Sequence, residues 1–283
     1  MTRVAVLTVA SASRFGHLQT QRGVLRDVTP DDLDILRIEA WLDPEPPLRA
    51  THGPRSGIDA TVHVPPGASG MRVGAARNAV AEVALREGAD VLVFLDVDCL
   101  PGPDLLSRYV DAAQRHPDAL LAGPVTYLPS IQRPTRADEL GAMTRPHPAR
   151  PSPSDGTTEQ ADPDAYDLFW SLSFAVTPAT WQRLDGFSDD YEGYGAEDTD
   201  LAWRARGRGI PLRWVGGAHA YHQWHPTSSP PWAHLDDILR NGRIFAERWG
   251  TWPMRGWLDA FARAGAIVAH DGGWVRAGVS SAA

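Results

Sequence analysis

Two aspartates, Asp96 and Asp98, close a run of five apolar residues, Val91-Leu92-Val93-Phe94-Leu95. A short run that is apolar at every position suits a strand buried on both faces of a parallel sheet. Side chains at i and i+2 of an extended segment point the same way, so both carboxylates are expected at the carboxyl end of a central strand. Open α/β sheets hold ligands at that end. Paired hard oxygen donors there suit Mg2+ or Mn2+ bridging a diphosphate. Three other Asp-x-Asp triplets, Asp32/Asp34, Asp162/Asp164 and Asp198/Asp200, lack such a run. The competing reading is that Asp98 only starts the turn into the helix that follows Pro101-Gly102-Pro103.

A second cluster of carboxylates sits in Gly186-Phe187-Ser188-Asp189-Asp190-Tyr191-Glu192-Gly193-Tyr194-Gly195-Ala196-Glu197-Asp198. The residues after it read as a helix ended by Gly207, which puts Glu197 and Asp198 at or just before a helix N-terminus. Acidic residues are stabilised there by the helix dipole, so they can be caps and nothing more. The surrounding residues favour chemistry: Gly195 and its neighbours permit close approach of a substrate, and Tyr194 offers a flat face to a sugar ring. A third cluster is His219, His222 and His225. Residues three apart on a strand face opposite ways, so a three-histidine zinc site is not expected. One histidine completing a carboxylate-rich site is.

The elements that must position these groups alternate. Strands are predicted over 4–10, 34–41, 91–95, 119–122 and 168–176, with a short one at 60–64 inside a Pro- and Gly-rich loop over 44–70. Helices are predicted over 17–27, 73–87 (closed by Gly88), 104–115, 178–184 and 201–207. Strand–helix alternation implies a mostly parallel sheet with helices on both faces. Residues 129–164 are rich in Pro, Ser, Thr and Asp and read either as a mobile, acceptor-facing loop or as a tolerated insertion. Two helices, 236–247 and 257–264, are predicted in the tail. They can pack under the sheet, line an acceptor site or touch a membrane surface.

Composition excludes several classes. The 283 residues carry a net charge of −8, against the basic excess expected of a nucleic-acid binder. The single cysteine, Cys99, excludes an intrachain disulfide and a cysteine-rich zinc site. The first apolar segment is too short for a signal peptide and no stretch is long enough to cross a bilayer, so a soluble cytoplasmic protein is expected. Eleven tryptophans can serve as core or as flat faces for sugars and bases.

The order of these pieces resembles a known family. Arg14 after the first strand, Ala75-Ala76-Arg77-Asn78, Asp96-Val97-Asp98, the Gly-Tyr-Gly-Ala-Glu-Asp segment and a late histidine look like the family 2 glycosyltransferases with a galactosyltransferase-type C-terminal motif. The resemblance covers most of residues 1–225. It implies one GT-A domain over 1–283, Rossmann-like with a mostly parallel mixed sheet: a nucleotide-binding half (1–125), the loop 129–164, an acceptor and catalytic half (165–228) and a C-terminal helical segment (229–283). It implies a divalent metal, Mn2+ or Mg2+, at Asp96 and Asp98, with Asp98 the more direct ligand and His222, or else His225, the late one. Asp198 matches the catalytic base and Glu197 a contact to donor or acceptor sugar. Tyr194 and Gly195 face the acceptor. Ser11, Arg14, Asp43, Arg77, Asn78 and Asp96 fall on the nucleotide side. Two departures stand out: Tyr194 where the family often has Trp, and Ala196 where it often has Gly.

The implied reaction moves a sugar from a nucleoside diphosphate sugar, UDP-linked before GDP-linked, to a hydroxyl on a sugar, lipid-linked or small-molecule acceptor, with inversion. The rival readings are a nucleotidyltransferase, which would want a Gly-rich basic loop after the first strand, a non-catalytic nucleotide-sugar binder, and a zinc hydrolase.

Overall fold

A computed structural model describes residues 1–47 and 57–278. Residues 48–56 of the predicted loop and 279–283 of the tail lie outside the described residues. The elements run β1 (Thr2–Ala10), α1 (Phe15–Asp27), β2 (Leu33–Trp41), β3 (Ala60–His63), α2 (Val73–Arg86), β4 (Val91–Leu95), β5 (Cys99–Pro101), α3 (Leu105–Arg115), β6 (Leu120–Ala122) and β7 (Val125–Tyr127). They continue β8 (Thr158–Gln160), β9 (Ser173–Val176), α4 (Pro178–Leu184), α5 (Glu197–Gly207), β10 (Leu212–Val215), β11 (Ala220–His222), α6 (Leu235–Trp249), α7 (Arg255–Arg263), β12 (Ile267–His270) and β13 (Gly273–Arg276).

The main sheet has the order β3-β2-β1-β4-β9-β6-β10-β8. Only the pairings of β9 with β4 and β6, and of β8 with β10, are antiparallel. The mostly parallel mixed sheet expected from the alternation is therefore what forms. Alternation along each central strand divides its side chains between two cores. Ala5, Leu7, Val9, Leu92 and Phe94 pack with α2, α4 and α5, while Val4, Val6, Val91, Val93 and Leu95 pack with α1 and α3. On the first face Phe94 stacks on Phe174 of β9 at 4.3 Å between ring centroids. Burying each ring is worth ~1.5–3 kcal/mol, and a well-stacked pair adds ~0.5–1.5 kcal/mol. That packing fixes the antiparallel β9 beside β4.

A second sheet, β5-β11-β7, lies beyond the carboxyl end of β4. Its register sets His222 beside Cys99 on one side and Tyr127 on the other. The sequence predicts neither β5 nor β7, three-residue strands next to Pro and Gly, whereas β11 lies in the strand-plus-loop segment that carries the histidines. The aromatic run at 168–172 is not strand: a 3-10 turn occupies Pro163–Leu168 and pairing starts only at Ser173. The loop 129–164 contains β8 and two 3-10 turns, and it buries Ala137, Leu140 and Arg150. The tail holds the two expected helices and adds a hairpin, β12–β13. Among the described residues no helix is long and apolar enough to cross a membrane.

Candidate active site

β4 stops at Leu95, and Asp96–Asp98 form a tight turn closed by a hydrogen bond from the Cys99 amide to the Asp96 carbonyl, 2.8 Å. The two carboxylates therefore do not share a direction through strand periodicity, which ends one residue too early. Asp96 accepts from Arg77 Nη2 at 2.8 Å, and Asp98 faces two imidazoles. His222 Nε2 is 3.6 Å from Asp98 Oδ1 and His225 Nε2 is 3.3 Å from Asp98 Oδ2. Ligand atoms of all three lie within 4.8 Å of one another. The sequence reading gave the late position to one histidine; the structure brings two. As expected on a strand, His219 turns away from them, to Thr126 Oγ1 at 2.7 Å. His225 escapes strand geometry because β11 ends at His222 and the residues that follow are irregular.

The turn is braced from below. Gln21 of α1 donates Nε2 to the carbonyls of Asp96 (2.6 Å) and Cys99 (2.7 Å), and the Gln223 amide donates to the Asp98 carbonyl at 2.7 Å. Burial alone would push the Asp98 carboxyl up. The hydrogen bond from His225 and the nearby charges of His222, His225 and Arg14 outweigh it and hold the group below its ordinary value. Burial lowers His222, opposed by the charge of Asp98, a shift toward the neutral ring that a metal ligand must present. One carboxylate and two imidazoles make a mixed donor set that accommodates Mn2+ better than Mg2+, which prefers oxygen alone.

Across the cleft, α5 begins at Glu197 after the left-handed Ala196, φ 76°. The αL conformation costs a residue with a Cβ ~1–2 kcal/mol, so Ala196 sits where a glycine would be free of strain. Asp198 Oδ1 accepts from the Thr199 amide at 2.7 Å. Burial raises both carboxyls, Glu197 further through the adjacent charge of Asp198, with Arg77 pulling each back. Arg77 bridges the two halves of the site: its other terminal nitrogen is 3.5 Å from Glu197, and the side chain is only 5% exposed. Asp200, the third acid of the turn, is structural. It is fully buried and accepts from Tyr191, Arg204, Arg248 and Trp249.

The remaining expected residues divide. Asp43 Oδ2 accepts from the Ala12 amide at 2.8 Å, which joins the chain just after β2 to the loop Ser11–Arg14. Ser11 is buried with its hydroxyl on Ser13. Asn78 instead clasps the 186–187 turn, donating to the Phe187 carbonyl and accepting from its amide. Tyr194 is 40% exposed and stacks on His234 at 4.4 Å, with Trp257 at 5.8 Å. These tail residues could not be assigned to the site from spacing, since they approach it only through the packing of α6 and α7. Tyr127, stacked on His222 at 4.6 Å, was missed because only the pairing of β7 with β11 brings the two together.

Residues 159–225 match the family described as the N-terminal domain of galactosyltransferase. The validoxylamine A glucosyltransferase of Streptomyces hygroscopicus subsp. jinggangensis (strain 5008) is 29% identical over 163 residues, covering 50% of this chain and 37% of that protein. The protein of the same name from S. hygroscopicus subsp. limoneus is also 29% identical over 163 residues, covering 50% of this chain and 34% of that one. The chain thus spans little more than a third of these relatives. Among solved structures, GalNAc-T7 with UDP, GalNAc and Mn2+ superposes with a TM-score of 0.57 at 12% identity, over 88% of this chain and 50% of that one. TarS 1-349 of S. aureus gives 0.53 at 13%, over 87% and 64%. The fold is GT-A, and these matches bear out the resemblance to the glycosyltransferases with a galactosyltransferase-type segment.

Proposed function

We propose that this chain, a glycosyltransferase by its GT-A fold and its galactosyltransferase-type segment, transfers a sugar from a nucleoside diphosphate sugar to a hydroxyl acceptor with inversion. UDP-linked donors are favoured over GDP-linked ones. The observation that carries the reading is the Asp98–His222–His225 cluster tied through Asp96 and Arg77 to Glu197 and Asp198. The relatives that bear those names are sugar transferases, and one structural neighbour holds UDP, GalNAc and Mn2+.

Asp98, His222 and His225 would hold a divalent cation, Mn2+ before Mg2+, and Asp96 borders them. Such an ion supplies positive charge to a diphosphate leaving group. Ser11, Arg14 and Asp43 form the corner that suits the nucleotide. Asp198 takes the proton of the acceptor hydroxyl. The acceptor oxygen bonds the anomeric carbon from the side opposite the leaving oxygen, and the anomeric carbon–oxygen bond breaks with its electron pair leaving on the nucleoside diphosphate. Glu197 contacts the sugar, and Tyr194 offers its exposed face to the acceptor.

The test is thermal stabilisation by a panel of nucleoside diphosphates with Mn2+, Mg2+ or EDTA, followed by turnover of the matching sugar donors. Ligand binding to the folded state raises apparent stability by mass action. Stabilisation by one nucleotide that disappears in EDTA, with release of that nucleotide on turnover, is the expected result. No stabilisation by any nucleotide in any metal would sink the reading.

A further inference from the structure

We propose that Asn241 is a positioning residue for the catalytic loop: its amide, presented from the buried face of α6, fixes the backbone of residues 192–195 and with it the pose of Tyr194 and the entry to Glu197 and Asp198. The catalytic consequence rests on the glycosyl-transfer reading; the geometric part does not.

The loop before α5 turns through three left-handed residues, Gly193 (φ 72°), Gly195 (φ 94°) and Ala196 (φ 76°). That path rotates the carbonyls of Glu192, Tyr194 and Gly195 toward one point. Converging carbonyls repel, and each left buried without a donor costs ~1–3 kcal/mol. Asn241 Nδ2 occupies that point, at 2.9 Å from Glu192 O, 3.3 Å from Tyr194 O and 2.9 Å from Gly195 O. Its two hydrogens are shared among three acceptors. Asn241 is fully buried, so water does not substitute for it.

The neighbours on α6 repeat the contact. Asp237 accepts from the Tyr194 amide at 3.2 Å, and Arg240 donates to the Glu192 carbonyl and to Asp237. Positions 237, 240 and 241 are spaced to share one helix face. A Cβ on Gly193 would overlap the Asp237 carboxylate, so the loop lies directly against the helix. On the opposite side Glu192 accepts from the Ser69 amide at 2.6 Å, and the Gly193 amide donates to Met71 O at 2.8 Å. The loop is thus clamped between residues 69–71 and α6. The tail helix is part of the machinery that aims the acceptor platform.

Asn241→Asp keeps the volume and replaces both N–H donors by an oxygen facing three carbonyls; Asn241→Ser is the milder variant should the first not fold. The expected result is amide exchange at Gly193 and Tyr194 faster by roughly tenfold, the equivalent of one lost hydrogen bond, with β1 and β4 unchanged. Turnover falls by roughly tenfold or more, as for a misplaced reacting group. Stabilisation by a nucleoside diphosphate with Mn2+ stays within about twofold of the parent, because the donor corner lies elsewhere. Unchanged exchange at Gly193 and Tyr194, or equal loss of protection in β1 and β4, overturns the proposal. Faster exchange confined to the loop, in a protein whose parent transfers no sugar, supports the positioning and removes the functional reading instead.

Discussion

Arg77 holds Asp96 at 2.8 Å, and the same guanidinium faces Glu197 at 3.5 Å, so one buried cation ties the end of β4 to the start of α5. Its ring neighbour is Phe187, 5.0 Å from the guanidinium carbon to the centroid. The fork of the arginine lets one side chain satisfy carboxylates that arrive from two elements, which a lysine's single ammonium does poorly.

Replacing Arg77 by Met leaves carboxylates at both ends of a buried site without their counter-charge. Removing one partner of a fully buried pair costs ~3–5 kcal/mol; with Asp96 32% and Glu197 17% exposed the loss is smaller, but the urea midpoint should still fall below that of the parent. A midpoint unchanged within error would show that Asp96 and Glu197 are solvated well enough to stand alone.

Asp198→Asn is expected to cut turnover by ~10²–10⁴ with little change in nucleotide binding, as for loss of a general base. Burial raises the Asp198 carboxyl, so the acid limb of the parent's pH–rate profile should lie above the ordinary aspartate value, with activity lost as pH falls through it. Equal turnover in the variant would take Asp198 out of the reaction.

His225→Ala removes one of three clustered ligands. The Mn2+ concentration needed for half-maximal nucleotide-dependent stabilisation should rise by roughly tenfold or more, judging by what even outer-shell losses cost. A metal titration indistinguishable from the parent would leave Asp98 and His222 to act without it.

His219 gives a pH signature separate from activity. Burial lowers its imidazole to about 4, and its Nε2 rests on Thr126. The unfolded chain therefore takes up the proton first as pH falls. Stability is unaffected above the unfolded value of ~6.5, declines from there toward about pH 4 and then levels, for a total of ~3 kcal/mol. His219→Gln should flatten that decline in chemical denaturation from pH 7 to 4. An equally steep decline in the variant would assign the acid sensitivity to other groups.

The acids Asp98 and Asp198 were within reach of the sequence, which also offered His225 as the alternative late ligand and Arg77 beside the nucleotide; the bridging of two carboxylates by Arg77, the joint placement of His222 and His225, and the role of Asn241 were not. A five-residue apolar run ending in acids, and a Gly-rich segment ending in Glu-Asp, are local patterns. They fix where a buried strand must stop and where a helix must start, so residue type and spacing suffice. The same holds for the α/β class, since burial on two faces and helical stripes are both written in short-range periodicity.

What lay beyond the sequence depends on contacts between distant segments. The direction of Asp96 away from Asp98 follows from a tight turn that Gln21 of α1 braces. The pairing of His222 with His225 follows from where β11 runs out against Cys99 and Tyr127. Asn241 meets the carbonyls of Glu192, Tyr194 and Gly195 only because α6 packs across the loop. The sequence determined which groups are available and on which kinds of element they sit. The tertiary structure decided which of them meet, because hydrogen bonds and ion pairs between residues tens of positions apart leave no period along the chain.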